Sequence, residues 1–310
     1  MKFEGVIPVM LTPYTEDGSI DYAALTKLTE WYIDNGSDCL FATCQSSEIL
    51  KLSLDERVAL TKHVVEVIDG RVPVLASGHI SESIEDQAEE LTAMHNAGAD
   101  AVILITNRLD KDNQGGDTLI RNFESLQKML PQDITLGLYE CPAPYRRLLT
   151  DEEIRYFSNV SNMRVLKDVS CDLEIIKRRL KICEGTQFSI VNANAAIALE
   201  AMRAGSNGFS GVFNNIHPDL YAWLFRNRHS GDSLVTELAT FLATSAAAEA
   251  FGYPNIAKMM HYKEKRFVTY QSRVIDGDIK DKFWAVEELL DHVIKGNEIF
   301  RSKLGLSYRM

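Results

Sequence analysis

The sequence predicts a (β/α)8 barrel followed by a C-terminal helical extension. Short β-rich runs alternate with helical patterns from Gly5 to Phe213, eight such runs in all. Helical patterns separate nearly every pair of runs, which implies parallel strands with both faces covered. Eight units over about 215 residues also match such a barrel in size. A doubly wound open sheet is the alternative, but neither a GxGxxG nor a Walker pattern follows an early strand.

In chain order, the expected strands are Gly5–Thr12, Cys39–Thr43, Val72–Ser77, Ala101–Thr106, Ile134–Tyr139, Val165–Asp168, Phe188–Asn192 and Gly208–Phe213. Between them the 3.6-residue pattern predicts helices over Tyr22–Asn35, Asp55–Val67, Ser83–Asn96, Thr118–Met129, Asp151–Asn159, Asp172–Ile182 and Ala195–Ala204. Glycines mark several helix ends: Asn35-Gly36, Ala97-Gly98 and Ala204-Gly205 each precede a strand. From His217 the β signal fades, and helices are expected over Asp219–Arg228, Ser233–Glu249 and Lys280–Ile299, with a break at Tyr253-Pro254-Asn255. No flexible linker precedes this part. The expected organisation is therefore a barrel over residues 1–216 and a packed extension over 217–310.

Composition narrows the function. The chain has 310 residues, 45% hydrophobic and 25% charged, with a net charge of -11. That balance supplies no overall attraction to phosphate backbones, so no nucleic-acid partner is expected. No run approaches 18 apolar residues, so no membrane span is expected. The five cysteines, Cys39, Cys44, Cys141, Cys171 and Cys183, form neither a CxxC pair nor a zinc-like spacing with histidine. Free thiols, no metal and a cytoplasmic location follow as expectations. The first twelve residues lack a basic region and a cleavage site, so they do not read as a signal peptide.

In a barrel of this kind the reactive groups sit at the C-terminal strand ends. Lys167 follows the apolar run Met163-Arg-Val-Leu166 and should project near the mouth. Desolvation there lowers an amine's pKa and makes it a usable nucleophile; the plainer alternative is a solvated lysine paired with Asp168 or Asp172. Tyr139 ends the neighbouring strand and can relay protons, or can simply cap the core. Gln45, Ser46 and Ser47 precede a helix and can hold a carboxylate or serve as caps. Glu48 reads as structural, holding loop backbone.

At these residues the chain resembles the dihydrodipicolinate synthase / N-acetylneuraminate lyase superfamily of Schiff-base aldolases. Gly5 to Pro13, with Asp17-Gly18 and Ile20-Asp21, looks like the family's opening strand and turn. Thr43 to Glu48 stands where the family has its carboxylate loop. Tyr139 and Pro142 fit a Tyr-Asn-x-Pro motif, and Lys167-Asp168, 28 residues beyond Tyr139, fits the imine-forming segment. The resemblance implies that Lys167 condenses with a 2-oxo acid and that Tyr139 shuttles protons. It implies that Gln45, Ser46 and Ser47 hold substrate, with Ser210 and Gly211 lining the same pocket. It implies no metal or organic cofactor, because the lysine amine supplies the electron sink, and it implies a homotetramer, so a homo-oligomer, dimer or tetramer, is expected in solution.

Departures shape the substrate expectation. Gln45 replaces the family's relay hydroxyl. Ile105-Thr106-Asn107-Arg108 lacks the tyrosine that enters a neighbouring subunit's site. Pro144 stands where the synthase carries its semialdehyde-binding arginine, with Arg146 or Arg147 able to compensate only through a loop shift. The chain therefore leans to a lyase or aldolase for a 2-oxo sugar acid, with the synthase, a 2-oxo-acid dehydratase and a non-catalytic 2-oxo-acid sensor as alternatives. Asn192, Asn194 and Asn214 are candidate contacts to substrate hydroxyls. Phe251-Gly-Tyr-Pro254 and Phe283-Trp284 are candidate interface anchors.

Overall fold

A computed structural model describes residues 2–309, so Met1 and Met310, the outer limits of the two expected segments, lie outside the described residues. Eight parallel strands form one sheet in the order β1-β8-β7-β6-β5-β4-β3-β2. They are β1 Gly5–Val6, β2 Leu40–Thr43, β3 Val74–Ser77, β4 Ala101–Ile105, β5 Leu136–Tyr139, β6 Met163–Asp168, β7 Ser189–Asn192 and β8 Gly208–Phe209. The expected strand Gly5–Thr12 is split. Gly5 and Val6 pair with β8, whereas Val9 bridges to Phe41 of β2. Pro8 between them has no N–H to donate to a ladder, and its carbonyl accepts from Phe41 at 2.9 Å. The segment thus changes neighbours at Pro8 and joins the two edges into a barrel.

The helices outside the sheet are α1 Tyr22–Asp34, α2 Leu54–Ile68, α3 Ile84–Asn96, α4 Thr106–Leu109, α5 Gly116–Gln127, α6 Asp151–Ser158, α7 Leu173–Ile182, α8 Ala198–Arg203 and α9 Pro218–Asn227. Their starts follow local chemistry. Ser53 and Thr150 accept from the N–H groups of Glu56 and Glu153, and both glutamates reach back in reciprocal capping boxes. The short α4 replaces the expected end of β4 at Thr106. The βα alternation finishes with α9, which packs against β1 and lies within the segment expected as extension.

Beyond it come α10 Ser233–Ser245, α11 Asn255–Lys263, α12 Ile279–Lys282 and α13 Val286–Leu304. The break at Tyr253-Pro254 is where expected. The helix expected over Lys280–Ile299 is interrupted instead, because Ala285 adopts a left-handed conformation between α12 and α13. The one expected over Ser233–Glu249 tightens to a 3-10 turn over Ala246–Ala250. No single helix among the described residues is long and apolar enough to cross a membrane.

Strand alternation sorts the core into layers. Ile7, Phe41, Leu75, Ile103, Tyr139, Val165 and Val191 fill the barrel interior. Val102, Leu104, Leu136, Leu138, Leu166 and Ile190 face outward against α3, α5, α6 and α7. A larger outer cluster joins α1 and α2 to the extension through Leu28, Trp31, Leu220, Leu238, Ile256 and Leu290.

Candidate active site

Alternation along β5 and β6 brings Tyr139 and Lys167 to the barrel interior at the C-terminal ends of adjacent strands, where they are direct register partners. The Lys167 Nζ lies 4.5 Å from the centroid of the Tyr139 ring and 5.8 Å from that of Phe41. Lys167 is 8% exposed, and among the described residues its Nζ makes no hydrogen bond or ion pair. The solvated pair with Asp168 or Asp172 is not formed: Asp168 bonds Ser170 and Arg179, and Asp172 caps α7. Burial lowers the Lys167 pKa, with the neighbouring groups Cys44, Cys141 and Glu249 opposing the shift. Burial also keeps the Tyr139 phenol protonated, well above its ordinary value.

Below this pair, Gly137 faces inward, and a Cβ there would sit 2.5 Å from Ile103 and 2.6 Å from Val165. Only glycine fits under Tyr139 at this barrel diameter. Ser210 lines the small cavity beneath Lys167 together with Ile7, Leu75 and Val191, and its buried hydroxyl has no partner. Gly211 follows it, and a Cβ on Gly211 would stand 2.2 Å from the Phe209 ring.

The loop after β2 is a 3-10 turn over Gln45–Ser47. The Tyr139 hydroxyl donates to Gln45 Oε1 at 3.3 Å, and the Cys141 thiol approaches the same oxygen at 3.6 Å. Because both are donors, the amide oxygen faces them and the NH2 group is turned away. Ser46 is buried beside the Tyr253 phenol. Ser47 does a different job. Its hydroxyl accepts from the Cys44 N–H at 3.1 Å and lies 2.7 Å from the Met10 carbonyl and 2.9 Å from that of Ala42, so it shapes the loop from within. Glu48, in a left-handed conformation, is structural as expected, but it holds a distant segment: it pairs with Lys258 of α11 and accepts from the Arg273 N–H at 2.6 Å.

Two residues near the site were not singled out for it by sequence. Tyr253 turns inward, accepting from Asn215 Nδ2 at 2.8 Å beside Ser46, while its neighbour Phe251 is partly exposed. Glu249, on the turn after α10, lies close enough to Lys167 that the two charges act on each other, although burial dominates and raises its carboxyl pKa. The signal available was the Phe-Gly-Tyr-Pro run, which reads equally well as an interface anchor.

The candidate asparagines divide. Asn192 exchanges hydrogen bonds with the Asn194 backbone, and Asn194 caps the turn before α8. Only Asn214 keeps a buried carbonyl oxygen without a partner. Arg147 is locked between Asp110 at 3.0 Å and Glu153 at 2.6 Å, so it does not stand in for an arginine at Pro144; Arg146 is exposed and donates to the Val169 carbonyl at 3.2 Å. Asn107, in the segment without the intersubunit tyrosine, ties down the carbonyls of Cys141, Ala143 and Tyr145.

A parallel (β/α)8 barrel with a desolvated lysine against a phenol at its strand ends defines an aldolase-type lyase. The particular family follows from comparison. The dihydrodipicolinate synthetase family model matches residues 2–244, and the chain belongs to that family. A 4-hydroxy-tetrahydrodipicolinate synthase from Shewanella baltica is 30% identical over 217 residues, 70% of this chain and 72% of its own. One from Bacillus subtilis is 28% identical over 260 residues, 83% and 87% of the two chains. Among solved structures, dihydrodipicolinate synthase from Acinetobacter baumannii complexed with pyruvate has the same fold, with a TM-score of 0.83 at 22% identity over 96% of this chain and 99% of that one.

Proposed function

We propose that this protein is a pyruvate-type class I aldolase or lyase, in which Lys167 forms an imine with a 2-oxo acid. It makes or breaks the adjacent C–C bond of a 2-oxo sugar acid or a related hydroxylated substrate. The observation that carries the reading is a buried lysine amine with no carboxylate partner, held over the Tyr139 ring. An amine in that setting is neutral in a larger fraction of molecules than a solvated one and can attack a carbonyl carbon. The Lys167 nitrogen adds to C2, the former carbonyl oxygen takes a proton to become a hydroxyl, and loss of that oxygen as water leaves the iminium. Tyr139, within reach of the amine, carries these protons. As the C4 hydroxyl gives up its proton to Tyr139 or water and becomes a carbonyl, the bond between C3 and C4 breaks and its electron pair passes to the iminium; the aldehyde leaves, and reprotonation at C3 followed by hydrolysis returns the lysine.

Ser46, Gln45 and the backbone of their turn hold the substrate carboxylate, with Ser47 keeping the turn in shape. Ser210 supplies a hydroxyl beneath the amine, and the Gly211 backbone lines the same pocket. No metal or organic cofactor is required, because the protonated imine is itself the electron sink. Pro144 offers no cation to a second carboxylate, which favours a hydroxylated partner over aspartate semialdehyde. The protein works as a homodimer or homotetramer in the cytoplasm, without nucleic-acid or membrane partners.

Borohydride reduction in the presence of pyruvate should add one pyruvyl group at Lys167; an unmodified lysine after trials with several 2-oxo acids overturns the proposal. A panel of 2-oxo-3-deoxy sugar acids and N-acetylneuraminate, assayed for pyruvate and for dehydrated product, then separates cleavage from dehydration. The relatives' names favour a second reading, the synthase itself, and efficient condensation of pyruvate with aspartate semialdehyde would establish it. Ligand-dependent stabilisation without any turnover would point to a sensor.

A further inference from the structure

Strand alternation sends the residues that follow Tyr139 and Lys167 to the opposite face of the sheet. They are Glu140 and Asp168, and both meet one guanidinium, that of Arg179 on α7. Arg179 Nη1 donates to Glu140 Oε2 at 3.0 Å and also to Asp168 Oδ2. Its Nη2 donates to Glu140 Oε1 at 2.6 Å and to the Leu149 carbonyl at 2.8 Å. Glu140 accepts in addition from the N–H groups of Leu149 at 2.7 Å and Val169 at 2.9 Å. Asp168 Oδ1 accepts from the Ser170 N–H at 2.9 Å and its hydroxyl at 2.6 Å. All four carboxylate oxygens are partnered, and the three side chains are 0%, 0% and 1% exposed.

A buried network of this kind is weak evidence for stability, since well-packed apolar side chains often serve as well or better. Its value here is geometric. The last rung between the two strands, from the Glu140 N–H to the Lys167 carbonyl, is long at 3.4 Å, so the backbone holds this end of the ladder loosely. We infer that Arg179 is a positioning residue: by clamping Glu140 and Asp168 it fixes the ends of β5 and β6 and thereby the placement of the Lys167 amine over Tyr139. Glu140 stands where the Tyr-Asn-x-Pro motif has asparagine, so the clamp coincides with a departure of this chain from that motif. The inference rests on the reading of Lys167 as the imine-forming residue.

The test measures cyanoborohydride trapping of pyruvate on Lys167, as a rate at saturation and as a half-saturating concentration. Glu140→Gln keeps the side-chain shape while weakening the clamp. The saturated rate should fall about 10- to 100-fold, the scale expected for a misplaced reacting group, with the half-saturating concentration changed by less than about threefold. Arg179→Lys should recover part of the rate lost in Arg179→Gln. A folded Glu140→Gln enzyme that traps at the wild-type rate overturns the clamp, and so does a rate loss that simply tracks thermal stability. Where the Arg179 variants do not fold, Glu140→Gln and Asp168→Asn decide the question by the same readout. A wild-type protein that is never trapped would overturn the imine reading instead, so the two failures are distinct.

Discussion

The two sides of the barrel mouth are held in different ways. On the β5–β6 side, Lys167 and Tyr139, the pair proposed for catalysis, are backed by Glu140, Asp168 and Arg179, all within the barrel's own βα units. On the β2 side, the Gln45–Ser47 turn is fixed through Glu48 by Lys258 and Arg273, residues 210 and 225 positions further along the chain. The lesson is a division of labour. The groups proposed for bond chemistry depend on local elements, whereas the groups proposed to hold substrate depend on the C-terminal extension. Weakening one side should therefore change rate, and weakening the other should change saturation.

Lys167→Ala tests the chemical side most severely. It should abolish trapping and turnover altogether while leaving thermal stability unchanged or raised, because a buried amine without a partner is removed. Intact mass after borohydride and a melting curve check both halves. Tyr139→Phe should slow turnover by about 10²- to 10⁴-fold, the usual span for a lost acid–base group, with the pyruvate adduct still detectable. A variant that trapped and turned over like the wild type would shift proton transfer to another group.

Lys258→Met tests the other side. It leaves the Glu48 carboxylate buried with the Arg273 N–H as its remaining donor, at a cost of about 3–5 kcal/mol as for other broken buried pairs. Denaturant titration should show that loss. The half-saturating pyruvate concentration should rise more than the saturated rate falls, the reverse of Glu140→Gln. If both variants changed the same parameter, the division between the two sides would be lost.

Acid separates the sides more gently. Burial lowers His79 to about 4 and His217 to about 3, and it holds His261 well below its ordinary value. The folded protein keeps these rings neutral, while the unfolded chain protonates them as pH falls below about 6.5. The unfolded state then binds more protons, so stability declines from about pH 6.5 downward, by at most ~1.4 kcal/mol per pH unit for each histidine. His79 joins β3 to β4 through the Ile105 N–H, whereas His217 and His261 hold the extension through Asn297 and the Asn215 carbonyl. Amide exchange at pH 5 should therefore show α11 and α13 losing protection before β5 and β6.

The smallest expected effect concerns Trp284, which is 92% exposed. Trp284→Ala should change stability by no more than about 0.5 kcal/mol and leave trapping at Lys167 unaltered. If Trp284 anchors a subunit contact, sedimentation should show weakened self-association.

What the sequence determined by itself is the part that local periodicity writes. Alternation along Leu136–Tyr139 and Met163–Asp168 fixes that Tyr139 and Lys167 share a face, and the βα rhythm places that face inside a barrel. Caps such as Ser53 and Thr150 similarly announce helix starts from neighbours in the chain. The tertiary structure alone decided what those residues meet. Ser46 and Ser47 look alike in sequence, yet Ser47 is absorbed by the carbonyls of Met10 and Ala42 because the first segment crosses from β8 to β2 beside it. Tyr253 reads as an interface aromatic until Asn215 draws its hydroxyl inward. Arg147 looks available until Asp110 and Glu153 enclose it. Arg179 carries no local mark that distinguishes it from Arg178, since a surface and a buried guanidinium differ only in the partners that distant strands bring to them. Periodicity depends on near neighbours and survives in the sequence; partnership between side chains depends on three-dimensional closure of the barrel and arises only when it folds.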